Sequence, residues 1–521
     1  MQASSALTFF ATRVKRNCIR LDYFTNRIRF LDRENHFDAI NQYHTKRLVF
    51  FFFLFNLIFK LVLIAANKAE YTDGILQLTL FSSPNKLYPP FFTILTLGLA
   101  PLFRNPEMAG RFISILSSSI ILFPLFYFSL RLFNKRAAFF TCVIYTISPV
   151  PLRWSLHAMT DALFALLFCV AVIFWLMAAG EETKTSGKSL FLATIFSVLA
   201  TLTRYQGFLL VPPLIFLVII RSLQRKRILL SEFLMQVLWL APVLWIVYYG
   251  FRHPEQFAER AGQTWFSTMM NILNLFESFL AYSPYFISWP IFFFFLAGLF
   301  YLGWDVKHRV LFFSLFMYLV IALLLLQSAF SSFQARYLLP LVPLVTIFAG
   351  WGMETLSEKW KKNQRLFALV FLIALFYGLG FGLCSVFLQR EIFKDLKAAA
   401  LYVKDLPAGA PIYSNEAYKD LGPVKMRFWS GREIRAYDAG QELPSGAVVC
   451  LTSAYGGAWA ISQHTILFQQ KYHPKLLMTF EARIVPLLPD VMQEPMSHQN
   501  PLAITFRYTP QQFRTEIYQI P

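Results

Sequence analysis

The chain has 521 residues, 48 Lys and Arg against 29 Asp and Glu, and a formal charge of +19. Hydrophobic residues make up 56% of it, charged residues only 15%, and 58 residues are Phe. A soluble domain, with its usual ~25% charge, cannot hide this much apolar surface, so an ordinary cytosolic enzyme and a disordered chain are both excluded. Several runs approach the ~20 apolar residues that cross a bilayer, and the fold class expected is an α-helical polytopic membrane protein. Of the five cysteines, Cys142, Cys169 and Cys384 lie inside apolar runs and read as buried thiols. Neither a disulfide framework nor a clustered-cysteine zinc site is expected.

A large positive charge also fits nucleic-acid binding, but its distribution argues against that partner. From residue 389 onward there are 14 basic and 12 acidic residues. The excess sits instead in short clusters between apolar runs, as in cytoplasmic loops near anionic lipid.

Residues 1–47 are basic and polar and are placed in the cytoplasm. No cleavable leader is expected, because the first long apolar run begins near Leu48. Span 1 covers about 48–66 and is followed by an outer loop, 67–109. Spans 2 (110–132) and 3 (137–150) flank Asn134-Lys135-Arg136. Span 4 (160–180) leads to the inner loop 181–188. Spans 5 (189–203) and 6 (207–220) meet at the brief outer turn Arg204-Tyr205-Gln206-Gly207. After the basic loop 221–227 come span 7 (229–250), span 8 (286–303), span 9 (310–327), span 10 (337–352) and span 11 (366–388), about 11 in all. The five short inner loops hold 14 Lys and Arg, and the five longer outer loops hold 8. That bias sets the orientation. It also makes 87–103, opened by Tyr88-Pro89-Pro90, an interfacial or re-entrant segment, since one more span would invert everything downstream. Loop 251–285 carries apolar residues at three- and four-residue spacing. It reads either as an amphipathic helix on the outer leaflet or as a helix packed on other spans.

The tail, 389–521, changes character. Ile392, Leu396, Ala399 and Val403 share one helical face, and short β-type runs follow at 410–413, 434–437, 447–451, 476–480 and 504–508. With roughly 130 residues it can bury a core of its own. A small extracytoplasmic α/β domain is expected.

The informative ionisable residues are those at the outer ends of spans. Glu70 and Asp73, spaced i and i+3, share a face if their segment is helical, and a carboxylate in a partly dry cleft can take a proton. The same spacing also fits two solvated acids. Asp161, at the outer mouth of span 4, reads equally as a helix cap or as a cavity lining. Arg104, Arg111, Arg153, Arg204 and Arg336 run against the charge bias, which fits binding of an anion such as a lipid-linked phosphate. Each one alone is also explained by snorkelling or a headgroup contact. His157 and His253 are isolated, and no metal or other cofactor is expected.

Eight short pieces then occur in a recognisable order: Ala69-Glu70-Tyr71-Thr72-Asp73-Gly74; Lys86-Leu87-Tyr88-Pro89-Pro90-Phe91; Ala109-Gly110-Arg111; Leu132-Phe133-Asn134-Lys135-Arg136; Ser148-Pro149; Thr160-Asp161-Ala162-Leu163; Leu202-Thr203-Arg204-Tyr205-Gln206-Gly207; and Arg336-Tyr337-Leu338-Leu339-Pro340-Leu341-Val342-Pro343. Together, over about 48–350, they resemble the GT-C glycosyltransferases. Within that class they fall in the family-39-like branch, which holds the bacterial transferase that adds aminoarabinose to lipid A and relatives of the protein O-mannosyltransferases. The resemblance implies a multi-pass enzyme of the bacterial inner membrane. It would move a sugar, with inversion, from a polyprenyl-phosphate donor to an extracytoplasmic glycan, lipid or protein acceptor. It implies Glu70 or Asp73 as the base, and Lys86, Tyr88, Arg111, Asp161, Arg204 and Arg336 as substrate-binding residues, without a metal. Two departures stand out. Glu70 and Asp73 are separated where relatives show adjacent acids, and Tyr88 stands where relatives carry Lys before the Pro-Pro pair. A transporter or a flippase of lipid-linked sugars is the alternative, although no internal hydropathy repeat accompanies the acids.

The orientation is testable by cysteine accessibility. Labels in loop 221–227 should react only from the cytoplasmic side and a label at residue 400 only from the opposite side; the reverse pattern would contradict the topology.

Overall fold

The computed structural model describes residues 39–82, 88–180, 186–224, 230–252, 288–303, 306–328, 335–407, 409–415, 421–437, 441–452, 466–484 and 511–521. Lys86, most of loop 251–285, part of loop 221–227, the 504–508 run and residues 1–38 lie outside the described residues.

Helices dominate. The first part holds α1 (Ala39–Leu63), α2 (Thr72–Leu78), α3 (Phe91–Phe103), α4 (Pro106–Ile120), α5 (Leu122–Leu132), α6 (Lys135–Ile147), α7 (Pro149–Trp154), α8 (Thr160–Gly180) and α9 (Ser186–Thr203). Then come α10 (Val211–Gln224), α11 (Leu230–Leu234), α12 (Leu240–Arg252), α13 (Trp289–Phe300), α14 (Lys307–Ser328), α15 (Val342–Lys359) and α16 (Gln364–Phe387). Among the described residues seven helices are long and apolar enough to cross a membrane: Thr45–Ala66, Pro106–Leu132, Thr160–Ala179, Tyr205–Leu223, Leu230–Arg252, Arg336–Lys359 and Lys361–Phe387. Four shorter apolar helices accompany them, Phe91–Phe103, Gly187–Thr203, Trp289–Phe300 and His308–Leu323. The first of these is the 87–103 segment. The first helix starts at Ala39, well before the expected 48, so part of the polar leading segment is helical.

Local chemistry sets the helix starts. Asn105 caps α4 by accepting from the Glu107 N–H at 2.9 Å, with Pro106 in the first turn. Asn134 caps α6 by accepting from the Ala137 N–H at 2.8 Å. Ser148-Pro149 ends α6 and opens α7. The outward faces are apolar, with Phe51 61% and Val62 71% exposed on α1 and Phe376 70% exposed on α16, as a lipid-facing belt requires. Cys384 is on such a face, whereas Cys142 and Cys169 are buried. The expectation of a buried Cys384 fails because an apolar run in a membrane has no obligation to face protein. Small residues hold the bundle interior. A Cβ on Gly352 would stand 1.9 Å from the Phe294 carbonyl oxygen, and one on Gly298 would stand 1.9 Å from that of Phe348. Backbone contact of this kind stands in for a hydrophobic driving force that lipid does not supply.

The C-terminal sheet region holds α17 (Lys394–Lys404), β1 (Ile412–Asn415), α18 (Leu421–Ser430), β2 (Arg435–Tyr437), β3 (Val448–Thr452), β4 (Lys475–Ile484) and β5 (Gln511–Gln519). The strand order is β2-β1-β3-β5-β4. β1 runs parallel to β2 and β3, while β5 runs antiparallel to β3 and β4. The alternation of a strand divides its side chains between two cores. Ile412, Val448, Cys450 and Ile517 join the core that continues from the helix bundle. Tyr413, Val449, Leu451 and Tyr518 pack on the other sheet face with Phe468. The region therefore shares one of its cores with the bundle instead of burying only its own.

Replacing Gly352 by Leu should force α13 from α15 and cost about 3 kcal/mol, as overpacking does. The check is the unfolding midpoint in detergent, with Gly380→Leu, whose site is open, as the unaffected control.

Candidate active site at one end of the bundle

Two charged networks lie side by side where the segment after α1 meets the chain between α7 and α8. They differ in what they leave open.

The inner network is closed. Glu70 is 0% exposed. One of its oxygens pairs with the Arg111 Nε–H, and the other accepts from the Ala158 N–H at 3.0 Å and lies 3.4 Å from His157 Nδ1. Arg111 spends its remaining donors on Asn67 O at 3.0 Å and on Glu107 Oε1 at 2.7 Å. Burial alone would raise the Glu70 carboxyl, but Arg111 and His157 outweigh it and bring it down to about 2. Burial keeps His157 below its ordinary value despite the adjacent carboxylate, so it is neutral at pH 7. The loop 157–160 is wedged tightly. A Cβ on Gly74 would stand 2.7 Å from Ala158 O, and one on Gly110 would stand 2.8 Å from Ala158 Cβ. Gln77 holds the same loop by accepting from the Thr160 N–H at 3.2 Å.

The outer network reaches solvent. Asp73, in the first turn of α2, has a side chain 23% exposed and is paired with Arg336, which is 2% exposed. The Tyr88 hydroxyl donates to Asp73 Oδ1 at 2.8 Å. Burial, then the Asp73 charge, pushes the Tyr88 phenol well above its ordinary value, so it remains a donor. Beside this pair Asp161 bonds Arg204. The two guanidinium groups flank one ring, with Arg336 at 5.2 Å and Arg204 at 5.3 Å from the centroid of Tyr337. Arg336 also lies 5.5 Å from the Trp154 ring. Planar cations over aromatic faces are held in place without spending their hydrogen bonds.

The structure thus brings together Asp73, Tyr88, Asp161, Arg204 and Arg336 from segments far apart in the chain. Glu70 and Arg111 face each other in the inner network and not the Asp73 cluster. Arg153 is also buried as a brace, donating to Ser385 O at 2.7 Å and to the Tyr71 hydroxyl. In the sequence His157 stands isolated and Tyr337 carries no role of its own. Tyr337 was visible only as the neighbour of Arg336, and the pairing of His157 with Glu70 had no signal in the spacing. Among the described residues no three His, Cys, Asp or Glu side chains gather as metal ligands would.

Glu70→Gln removes the charge that balances buried Arg111, and should destabilise the protein by about 3 kcal/mol at neutral pH. The folded-state value near 2 lies below the ordinary 4.5. The stabilisation is therefore full above that range and is lost as pH falls from about 4.5 toward 2. Unfolding midpoints of wild type and variant should converge over that window; parallel curves would contradict the assignment.

Residues 88–249 match the family model described as dolichyl-phosphate-mannose-protein mannosyltransferase. No curated protein matches the chain in sequence. Among solved structures, ArnT from Cupriavidus metallidurans in the apo state is similar with a TM-score of 0.58 at 14% identity, covering 82% of this chain and 95% of that one. ArnT from the same organism bound to undecaprenyl phosphate gives 0.57 at 15% identity, covering 90% and 97%. With these matches over an architecture already described, the chain has the fold of the two ArnT structures.

Proposed function

We propose that this protein is a membrane glycosyltransferase that moves a sugar from a polyprenyl-phosphate donor to an acceptor outside the cytoplasm, with Asp73 as the general base. The observation that carries this reading is the outer network: an acid open to solvent, set beside two arginines that share the ring of Tyr337. The similar fold of an ArnT structure with undecaprenyl phosphate bound supports the donor class.

The acceptor nucleophile attacks the anomeric carbon as Asp73 takes its proton. The bond from that carbon to the phosphate oxygen breaks, and the electron pair leaves with the polyprenyl phosphate. Direct displacement inverts the anomeric centre. The leaving group is a good one, so positioning and charge stabilisation carry most of the work. Arg204, 15% exposed, is placed to meet the phosphate, and Arg336 supports it from the interior. Asp161 orients Arg204, and Tyr88 fixes the rotamer of Asp73. Lys86, two residues before Tyr88, is a further phosphate ligand in this reading. Glu70 and Arg111 act as structure, which makes Asp73 the better choice of base. The membrane is the bacterial inner membrane, with the leading segment cytoplasmic and 389–521 an extracytoplasmic α/β domain. Acceptor choice belongs to that domain and to loop 251–285.

Asp73→Asn should reduce transfer by at least about a hundredfold in protein that still folds, the range of a lost general base, and should also lower the unfolding midpoint because buried Arg336 loses its partner. The assay is incorporation of sugar from a lipid extract into envelope acceptors by the protein in proteoliposomes, followed by mass spectrometry. Wild-type transfer by this variant would remove Asp73 from the chemistry.

A further inference from the structure

One buried amine lies against this site from outside the helix bundle. Lys425 is on α18 in the C-terminal sheet region and is 0% exposed. α18 packs on α2, the helix that carries Asp73. The Lys425 Nζ stands 3.5 Å from the centroid of the Phe393 ring. Phe393 meets Tyr71 edge-on at 6.0 Å and has φ 56°, a left-handed conformation that a bulky residue adopts only when its surroundings impose it. Two carboxylates act on the amine, Asp395 and Asp73. Asp395 is itself 1% exposed. Its Oδ2 accepts from the Thr515 hydroxyl at 2.8 Å, and Thr515 in turn lies 3.1 Å from the Thr452 hydroxyl.

A lysine buried this deeply is costly, because burial drives its amine well below the ordinary lysine range and only the two carboxylates pull it back. A methionine would fill the same space at no such cost. The charge of Asp395 alone would explain a lysine that fastens α18 to α17. The second carboxylate belongs to the site, and the region around the lysine is docked there by charge. Glu107 accepts from Lys397 at 2.9 Å and from the Trp429 indole N–H at 3.2 Å, and the Lys68 N–H donates to Arg390 O at 3.1 Å.

We propose that Lys425 is a positioning residue for the transfer reaction: supplied by the C-terminal sheet region, it holds Asp73 from that side while Arg336 holds it from the bundle, so the site is complete only with that region in place. This rests on Asp73 being the reacting acid.

The test uses the full chain in proteoliposomes with the lipid-extract assay. Lys425→Met should lower kcat about tenfold with KM for the donor unchanged within about twofold, and Lys425→Arg should recover most of the rate. Asp395→Asn, which loosens the lysine without touching Asp73, should fall between them. Wild-type kcat in a folded Lys425→Met protein overturns the proposal, as does a loss shared equally by the Met and Arg variants. Should the wild-type chain itself transfer nothing, the functional reading fails. The link is then judged by unfolding midpoints of Lys425→Met, Asp73→Asn and the double variant. Non-additive shifts sustain the coupling between Lys425 and Asp73, and additive ones overturn it.

Discussion

The ion pair between Asp73 and Arg336 joins residues 263 positions apart, and the rest of the site is arranged around it. An arginine 2% exposed keeps its charge and is costly to bury without a partner, and removing one member of a buried pair leaves the other at high cost. The pair therefore fixes where the segment after α1 sits relative to the start of the helix that runs through α15. Tyr337 spreads this constraint to Arg204 and Asp161, since both guanidinium groups rest on its ring. The result is two acids and two arginines gathered around Tyr337 at the end of the bundle, with Asp73 and Arg204 as the more exposed members.

The inner network gives that arrangement a fixed floor. Glu70, Arg111, Glu107 and the 157–160 loop satisfy one another, and Gly74 and Gly110 let the loop approach to within Cβ-excluding distance. The two acids after α1 thus divide their labour by exposure. Glu70 is closed off and held low by Arg111, while Asp73, three residues later and partly open, is paired with Arg336 and Tyr88. Glu107 belongs to both the bundle and the C-terminal sheet region, so the same floor also seats the tail.

Much of this was legible in the sequence. The apolar runs marked the helices because a bilayer demands length and hydrophobicity together, and α8 at Thr160–Gly180 matches its predicted run. The acids and outer arginines were found because charge at the rim of a span is costly without a purpose. Which of them meet was not legible. Spacing along the chain says nothing about a contact between residues 73 and 336, and it could not separate Glu70 from Asp73. Sheet boundaries also escaped in part. β5 reads Gln-Gln-Phe-Arg-Thr-Glu-Ile-Tyr-Gln, too polar for a hydrophobic run, yet Thr515 and Glu516 are buried in this inner strand because neighbouring side chains satisfy them. The shared core of bundle and tail was invisible for the same reason, since it depends on which strand face turns toward the membrane part.

The central claim is that the Asp73–Arg336 and Asp161–Arg204 pairs form the seat of a polyprenyl phosphate. Photocrosslinking in nanodiscs with a diazirine-bearing polyprenyl phosphate, followed by peptide mapping, tests this directly. The account predicts labelling of the peptides around Asp73, Arg204 and Arg336 that free undecaprenyl phosphate competes away. Labelling confined to the lipid-facing side of α1 and α16, indifferent to competitor, would contradict it.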